Sequence, residues 1–482
     1  MIDIRPVGYI CGLLLCVLAA VMMLPMLADL LTGSEHWIVF AEAGAITFLC
    51  GACLALACAN GATGGLTLHQ SFILATSVWV VLPLFGALPF VFGAPGASFT
   101  DAFFEAMSGM TTTGSTVFER LEMLPAGTLL WRSLLQWLGG LGIIIVALIF
   151  LPVMKVGGMQ FFRSEAFDTL GKVLPRATDI SLALVEIYLV LTLACAASYW
   201  ALGMLPFEAV NHALTTVATG GFATSDASFA AYGASVQYAA VVFMLLGGLP
   251  FIRYIQMAQG SFAPMWRDLQ VRAYLRWTVY IVTVIVAYRT IQGDALSESL
   301  IRDVLFNTVS LFSGTGYGSA DVGAWGAFAL VMLMVAGFIG ACTASTGCSV
   351  KVFRYLILLE AIRTEVRRLH SPHMVRPVRY DGRPVAPDVI AAVIVFFTLF
   401  LATFAALAVC LSLTGLEMRT AITAAWTSIG NIGPAFGAEV GESGAVTGFP
   451  AAAKWLMIFG MLLGRLELLS VLVLFLPRFW RA

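Results

Sequence analysis

Met110-Thr111-Thr112-Thr113-Gly114-Ser115 is a short polar stretch between long apolar ones, and three other stretches align with it. They are Val217-Ala218-Thr219-Gly220-Gly221-Phe222, Phe312-Ser313-Gly314-Thr315-Gly316-Tyr317 and Ile429-Gly430-Asn431-Ile432-Gly433-Pro434. The aligned glycines, Gly114, Gly221, Gly316 and Gly433, stand 107, 95 and 117 residues apart. Thirteen residues before them stand Asp101, Glu208, Asp303 and Thr420. Asp and Thr are good helix N-caps, and an acid at a helix start suits the dipole. The interval has room for a three-turn helix and a short strand. One glycine-rich string of this kind is ordinarily a turn; four aligned copies, each between two apolar runs, form a repeat.

The surrounding composition is that of a membrane protein. Of 482 residues, 60% are hydrophobic and only 11% charged, against roughly 25% charged in soluble domains. Mean hydropathy is +0.93. At about 20 apolar residues per crossing, the apolar content leaves room for roughly fourteen segments. A soluble enzyme or a disordered regulator is excluded. The net charge of −1 gives no basic field for nucleic acid. The nine cysteines all fall in apolar segments, and Cys50-x-x-Cys53 has no second pair, so they read as packing residues. The apolar run after Arg5 is too long for a signal-peptide core and reads as the first span.

Apolar runs at about 7–32, 37–59, 71–93, 126–152, 180–204, 235–252, 275–291, 324–350, 388–414 and 451–477 predict ten transmembrane helices. Arg5, the gaps 153–179, 253–276 and 351–387, and the tail hold 19 of the 26 Lys and Arg residues. The positive-inside rule therefore puts these segments, and both termini, in the cytoplasm. The outward gaps are poor in Lys and Arg and contain the four aligned loops. A helix too short to span, followed by Gly- and Thr-rich backbone, predicts a re-entrant pore loop lining a cavity.

The chemistry follows from residue type. A dehydrated monovalent cation needs several partially negative oxygens and no full charge that would trap it. Backbone carbonyls supply them, and glycine permits the dihedrals that turn them inward. The filter residues on this reading are Thr111, Thr112, Thr113, Gly114, Ala218, Thr219, Gly220, Gly221, Ser313, Gly314, Thr315, Gly316, Gly430, Asn431, Ile432 and Gly433. None is acidic, against a calcium-type filter, and none is basic, against an anion pore. Gly314-x-Gly316-x-Gly318 lacks the last glycine of a dinucleotide fingerprint, and there is no P-loop. No GxSG, HExxH or paired intramembrane aspartates point to an intramembrane enzyme. A serine at a filter glycine would favour a sodium-permeable protein, but glycine stands in all four loops.

The sequence resembles the Trk/Ktr potassium-transporter superfamily, of the TrkH type. The resemblance is carried by the strings Asp101 to Gly114, Trp131 to Gly142, Val156-Gly-Gly-Met-Gln160, Asn211 to Phe222, Gly314 to Gly318, Gly430 to Pro434 and Gly460 to Leu468. It implies potassium uptake across the bacterial cytoplasmic (inner) membrane and a homodimer. It also implies a separate cytoplasmic nucleotide-binding regulatory subunit of TrkA type, with no cofactor on this chain. The extra N-terminal pair of spans favours the TrkH type over the shorter Ktr type. Ala344, Cys348 and Ser349 depart from glycines usual in the family, and His69-Gln70 from a more strongly charged pair.

The fold expected is an all-α polytopic membrane protein. It has ten transmembrane helices and four re-entrant pore loops, arranged as four span–pore-loop–span repeats in pseudo-fourfold arrangement, plus two extra N-terminal helices. The division is 1–62 for the extension, then repeats at 63–170, 171–265, 266–375 and 376–482. Within 324–362 the small-residue stretch Gly337 to Gly347 reads as a broken helix, with close packing through Gly340, Ala344 and Cys348 as the rival reading. The resemblance makes this an intramembrane gating loop, with Gly340, Thr343, Ala344, Ser345, Thr346 and Gly347 as gate residues. Arg465, inside the last span, is expected to face the pore as an electrostatic barrier, or else to take a structural role, pairing with backbone carbonyls or a distant acid. Lys454 reads as an interfacial snorkelling residue. The basic segments 163–176 and 351–383 read first as ordinary positive-inside charge, with docking faces for the regulator as the rival reading.

Overall fold

Apolar runs of about 20 residues in lipid must satisfy their backbone internally, so they fold as helices. The computed structural model describes residues 2–61, 66–146, 158, 177–373 and 377–481 and is helical almost throughout. The basic gap around Arg163, Lys172 and Arg176 lies outside the described residues, as does Val156–Gln160 apart from Gly158. Among the described residues, seven helices are long and apolar enough to cross a membrane: Arg5–Leu31, Trp37–Gly61, Leu68–Phe92, Ala126–Ile145, Asp179–Ala201, Leu269–Ile291 and Pro387–Leu413. Two more apolar stretches are sharply bent, and counting each as one span gives nine. Ala234–Gly247 meets Phe251–Ala258 at 93°, across a break that ends at Pro250. Ala451–Arg465 meets Leu469–Phe475 at 106°, where Glu467 and Leu468 take left-handed φ values of 57° and 42°. The predicted run 324–350 holds only a 13-residue helix, Ala327–Ile339; no helix follows until Val352.

Four short helices lie between successive apolar stretches. Phe99–Met110, Pro206–Val217, Glu298–Ser313 and Met418–Gly430 have 12, 12, 16 and 13 residues. At 1.5 Å per residue they reach about 18–24 Å, short of the roughly 30 Å hydrocarbon core. Their starts correct the N-caps expected from the alignment. Ser98 and Ser297 cap the first and third helices, accepting from the N–H groups of Asp101 and Leu300 at 3.2 Å each. Leu205 and Glu417 precede the second and fourth. Asp101, Glu208 and Thr420 therefore sit at the third helical position, and Asp303 farther in. An acid in the first turn still faces the positive end of the dipole.

The N-terminal hairpin packs backbone against backbone. A Cβ on Gly12 would lie 2.6 Å from the Ala55 nitrogen, and one on Gly51 2.8 Å from the Gly12 oxygen. Such close crossing needs small residues. Buried Asp29 then ties the hairpin to the rest, accepting from Gly127 N–H at 2.6 Å and pairing with His36 Nδ1 at 2.8 Å.

Candidate functional site

Each short helix runs directly into its aligned loop, and the backbone turns the same way in all four. Two residues before the glycine the chain is left-handed, with φ of 51° at Thr112, 50° at Thr219, 81° at Gly314 and 50° at Asn431. The aligned glycines are left-handed again, at 88°, 82°, 84° and 116°. The residue between them donates its N–H to a carbonyl five residues back on the helix: Thr113 to Ser108 at 2.9 Å, Gly220 to Thr215 at 2.8 Å, Thr315 to Ser310 at 2.8 Å and Ile432 to Thr427 at 3.1 Å. In a trans peptide the preceding carbonyl then points the opposite way, away from the helix. So the donors are satisfied behind the loops, and oxygens are left on the other side.

The four loops touch in a closed cycle. A Cβ on Gly114 would overlap the carbonyl oxygen of Gly220, one on Gly221 that of Thr315, and one on Gly316 that of Ile432; one on Gly433 would lie 2.9 Å from that of Thr113. Glycine is thus required twice, by φ and by the neighbour's approach. All four glycines line one cavity of about 860 Å³, which also reaches Asp226, Asp321, Arg132 and Arg419. The C-terminal, partially negative ends of all four helices lead into this ring.

Polar side chains brace the ring from behind, and the sequence reading had not singled them out. Buried Arg132 pairs with Glu105 at 2.8 Å, donates to the Ala223 oxygen at 2.9 Å and lies 4.2 Å over the Phe222 ring. Gln136, one turn on, donates to the Gly220 oxygen at 2.6 Å and accepts from Phe222 N–H at 3.0 Å. The Tyr317 hydroxyl lies 2.5 Å from Thr215 Oγ1 and donates to the His212 oxygen at 3.2 Å. The available signal was Arg132 and Gln136 at i and i+4 in an apolar span, on one helix face.

On the helix side of the ring lies the non-helical stretch 340–351. Thr346 Oγ1 accepts from Thr219 Oγ1 at 3.1 Å and donates to the Gly247 oxygen at 3.0 Å. A Cβ on Gly347 would lie 2.7 Å from the Ser313 oxygen. Thr343 N–H donates to Gln270 Oε1 at 2.9 Å, the Ala344 oxygen accepts from Phe251 N–H at 2.8 Å, and Ser345 Oγ donates to the Cys342 oxygen at 2.7 Å. Gly340, Ala344, Ser349 and Lys351 are left-handed, at 72°, 58°, 68° and 75°. Two of the three departures from family glycines therefore stand at backbone positions that favour glycine.

Arg465 ends its helix at the 106° bend. It is 1% exposed and donates to the Gly139 oxygen at 2.8 Å, to Cys348 Sγ at 2.7 Å and to the Thr346 oxygen at 3.3 Å. Of the two roles expected for it, carbonyl binding is present, and it fastens the 346–348 segment to the helix of Gly139. Glu467 takes both Arg354 and Lys351, the latter at 3.6 Å. Lys351 and Arg354 are buried, so of the basic segment 351–383 only the later arginines, such as Arg363, Arg367 and Arg383, present exposed charge. Lys454 is also a correction. It does not snorkel but is 5% exposed, donating to Asp101 Oδ1 at 2.6 Å and to the Thr447 oxygen at 2.9 Å.

Comparison with known proteins places these features among relatives. The sequence model of the TrkH family, described as cation transport protein, matches residues 36–482. The chain is 44% identical over 414 residues to the Trk system potassium uptake protein TrkI of Halomonas elongata, covering 86% of this chain and 84% of that one. It is 36% identical over 485 residues to the Trk system potassium uptake protein TrkH of the same organism, covering 99% and 100%. The crystal structure of the potassium transporter TrkH from Vibrio parahaemolyticus superposes with a TM-score of 0.90 at 32% identity, over 100% of both chains.

Proposed function

The chain belongs to the TrkH family of cation transport proteins, and from that premise we propose that it takes up potassium through a ring of backbone carbonyls. The observation that carries this reading is the closed cycle of Gly114, Gly221, Gly316 and Gly433 around one cavity. The ion sheds its water against oxygens of the four loops, each of which turns the N–H before its aligned glycine back to its helix. No residue of the four loop segments carries a formal charge, which suits a monovalent ion that must bind and leave.

On this reading the four loops are re-entrant and each belongs to a span–loop–span repeat, at 63–170, 171–265, 266–375 and 376–482. The two bent pairs and the stretch from Ala327 through the 340–351 break count as spans, making ten with the N-terminal hairpin. Potassium passes the ring and then meets 340–351, held shut by Arg465 and by the bonds to Thr219 and Gly247. The remaining assignments are a homodimer in the bacterial inner membrane, both termini in the cytoplasm, and a separate nucleotide-binding regulator of TrkA type that opens the gate. They are supported by the relatives' kind and by the placement of Lys and Arg.

The test is Gly316→Ser in proteoliposomes, read as rubidium and sodium uptake. Selection against sodium should fall. Wild-type selectivity in a normally expressed variant would sink the filter assignment.

A further inference from the structure

The ring has one seam unlike the other three. Where loops one and two, two and three, and three and four meet, a Cβ on the glycine would overlap the facing oxygen outright. At the meeting of loops four and one it would stand 2.9 Å from the Thr113 oxygen, and Gly433 has a φ of 116° where the others have 82° to 88°. Backbone closure is loosest here, and two side-chain bonds bridge the gap. Asn431 Nδ2 donates to Thr113 Oγ1 at 2.9 Å, and Ser115 Oγ donates to the Gly433 oxygen at 2.5 Å.

Asn431 is suited to this in two ways, and one feature of it is a cost. Its φ of 50° is one that Asn tolerates better than most residues. Its amide nitrogen has a second acceptor, the Met461 oxygen at 3.0 Å on the last long helix, so the amide orientation is fixed. Its Oδ1 is left buried without a donor, beside Gly464, where a Cβ would lie 2.6 Å away. Thr112 and Thr219, at the equivalent position in loops one and two, carry no amide, and Gly314 carries no side chain.

We propose that Asn431 is a specificity-determining positioning residue, whose amide, anchored on Met461, fixes the width of the seam between loops four and one, with Ser115 fixing its outer edge. This rests on the filter reading above. A smaller ion gains only if the oxygens draw inward, and a seam pinned from the side resists that movement.

The experiment is Asn431→Gly, with Ser115→Ala beside it and Gly316→Ser as reference, each purified into liposomes and assayed for rubidium and sodium uptake. Gly314 shows that glycine fits the turn. The rubidium-over-sodium ratio should fall roughly tenfold in Asn431→Gly, the scale of one buried hydrogen bond, and less in Ser115→Ala, with the thermal midpoint near that of the wild type. If Gly316→Ser lowers the ratio while Asn431→Gly and Ser115→Ala keep it, the seam proposal is overturned and the filter reading stands. If Gly316→Ser also keeps it, both fall. Should Asn431→Gly not fold, a wild-type ratio in Ser115→Ala is enough to overturn the proposal.

Discussion

The Arg132 guanidinium meets the Glu105 carboxylate at 2.8 Å with both side chains sealed from solvent. The pair joins the first short helix to the long helix after it. Glu105→Gln leaves the arginine charge buried without its partner, a loss of about 3–5 kcal/mol. The thermal midpoint in detergent should fall sharply. Replacing both members with apolar residues of similar size should recover much of it.

Alanine at Gly221 and at Gly433 should differ in effect. Both positions demand a left-handed backbone. At Gly221 the added methyl would overlap the Thr315 oxygen, while at Gly433 the nearest oxygen is 2.9 Å away. Rubidium uptake should be abolished in the first variant and only reduced in the second. Equal losses would contradict the looser seam.

Arg465→Ala removes the donors that fasten Thr346 and Cys348 to the helix of Gly139. The 340–351 stretch then loses a brace, and the charge beside it disappears. Flux per molecule should rise, measured in liposomes without a regulator. Wild-type flux from a well-expressed variant would remove Arg465 from the gate.

Ala344→Gly should stabilise the protein. A non-glycine residue at a φ of 58° is strained by about 1–2 kcal/mol, and glycine returns roughly 0.5–1 of that in chain entropy. A net gain near 0.5–1 kcal/mol should appear as a raised thermal midpoint. Ser349→Gly should gain less, since Ser349 Oγ donates to the Phe338 oxygen at 2.9 Å.

The four glycines were legible in the sequence because glycine at one register in four places has a single economical cause. The small residues between Gly337 and Gly347 marked the helix break for the same reason. Other features were out of reach. Lys454 looked interfacial because its partner Asp101 is 353 residues away. The N-caps were misplaced by a turn or more because an acid inside the first turns, as at Asp101, Glu208 and Asp303, gives the same sequence signal as one at the cap. The bend after Arg465 falls past the nearest glycine, Gly464, and Glu467 and Leu468 take left-handed angles that their own residue types do not announce. Pairwise partners and strained backbone belong to tertiary structure, and periodicity does not carry them.

In the cycle of loops each glycine receives the oxygen of the next quarter, and all four quarters come from one polypeptide. In an assembly of four identical subunits, one codon change alters every quarter at once. Here it alters one and leaves three intact. Selection can therefore edit the ring a quarter at a time, provided the glycine at each joint is kept. Four different spellings, Thr113-Gly114, Gly220-Gly221, Thr315-Gly316 and Ile432-Gly433, are what that freedom leaves behind.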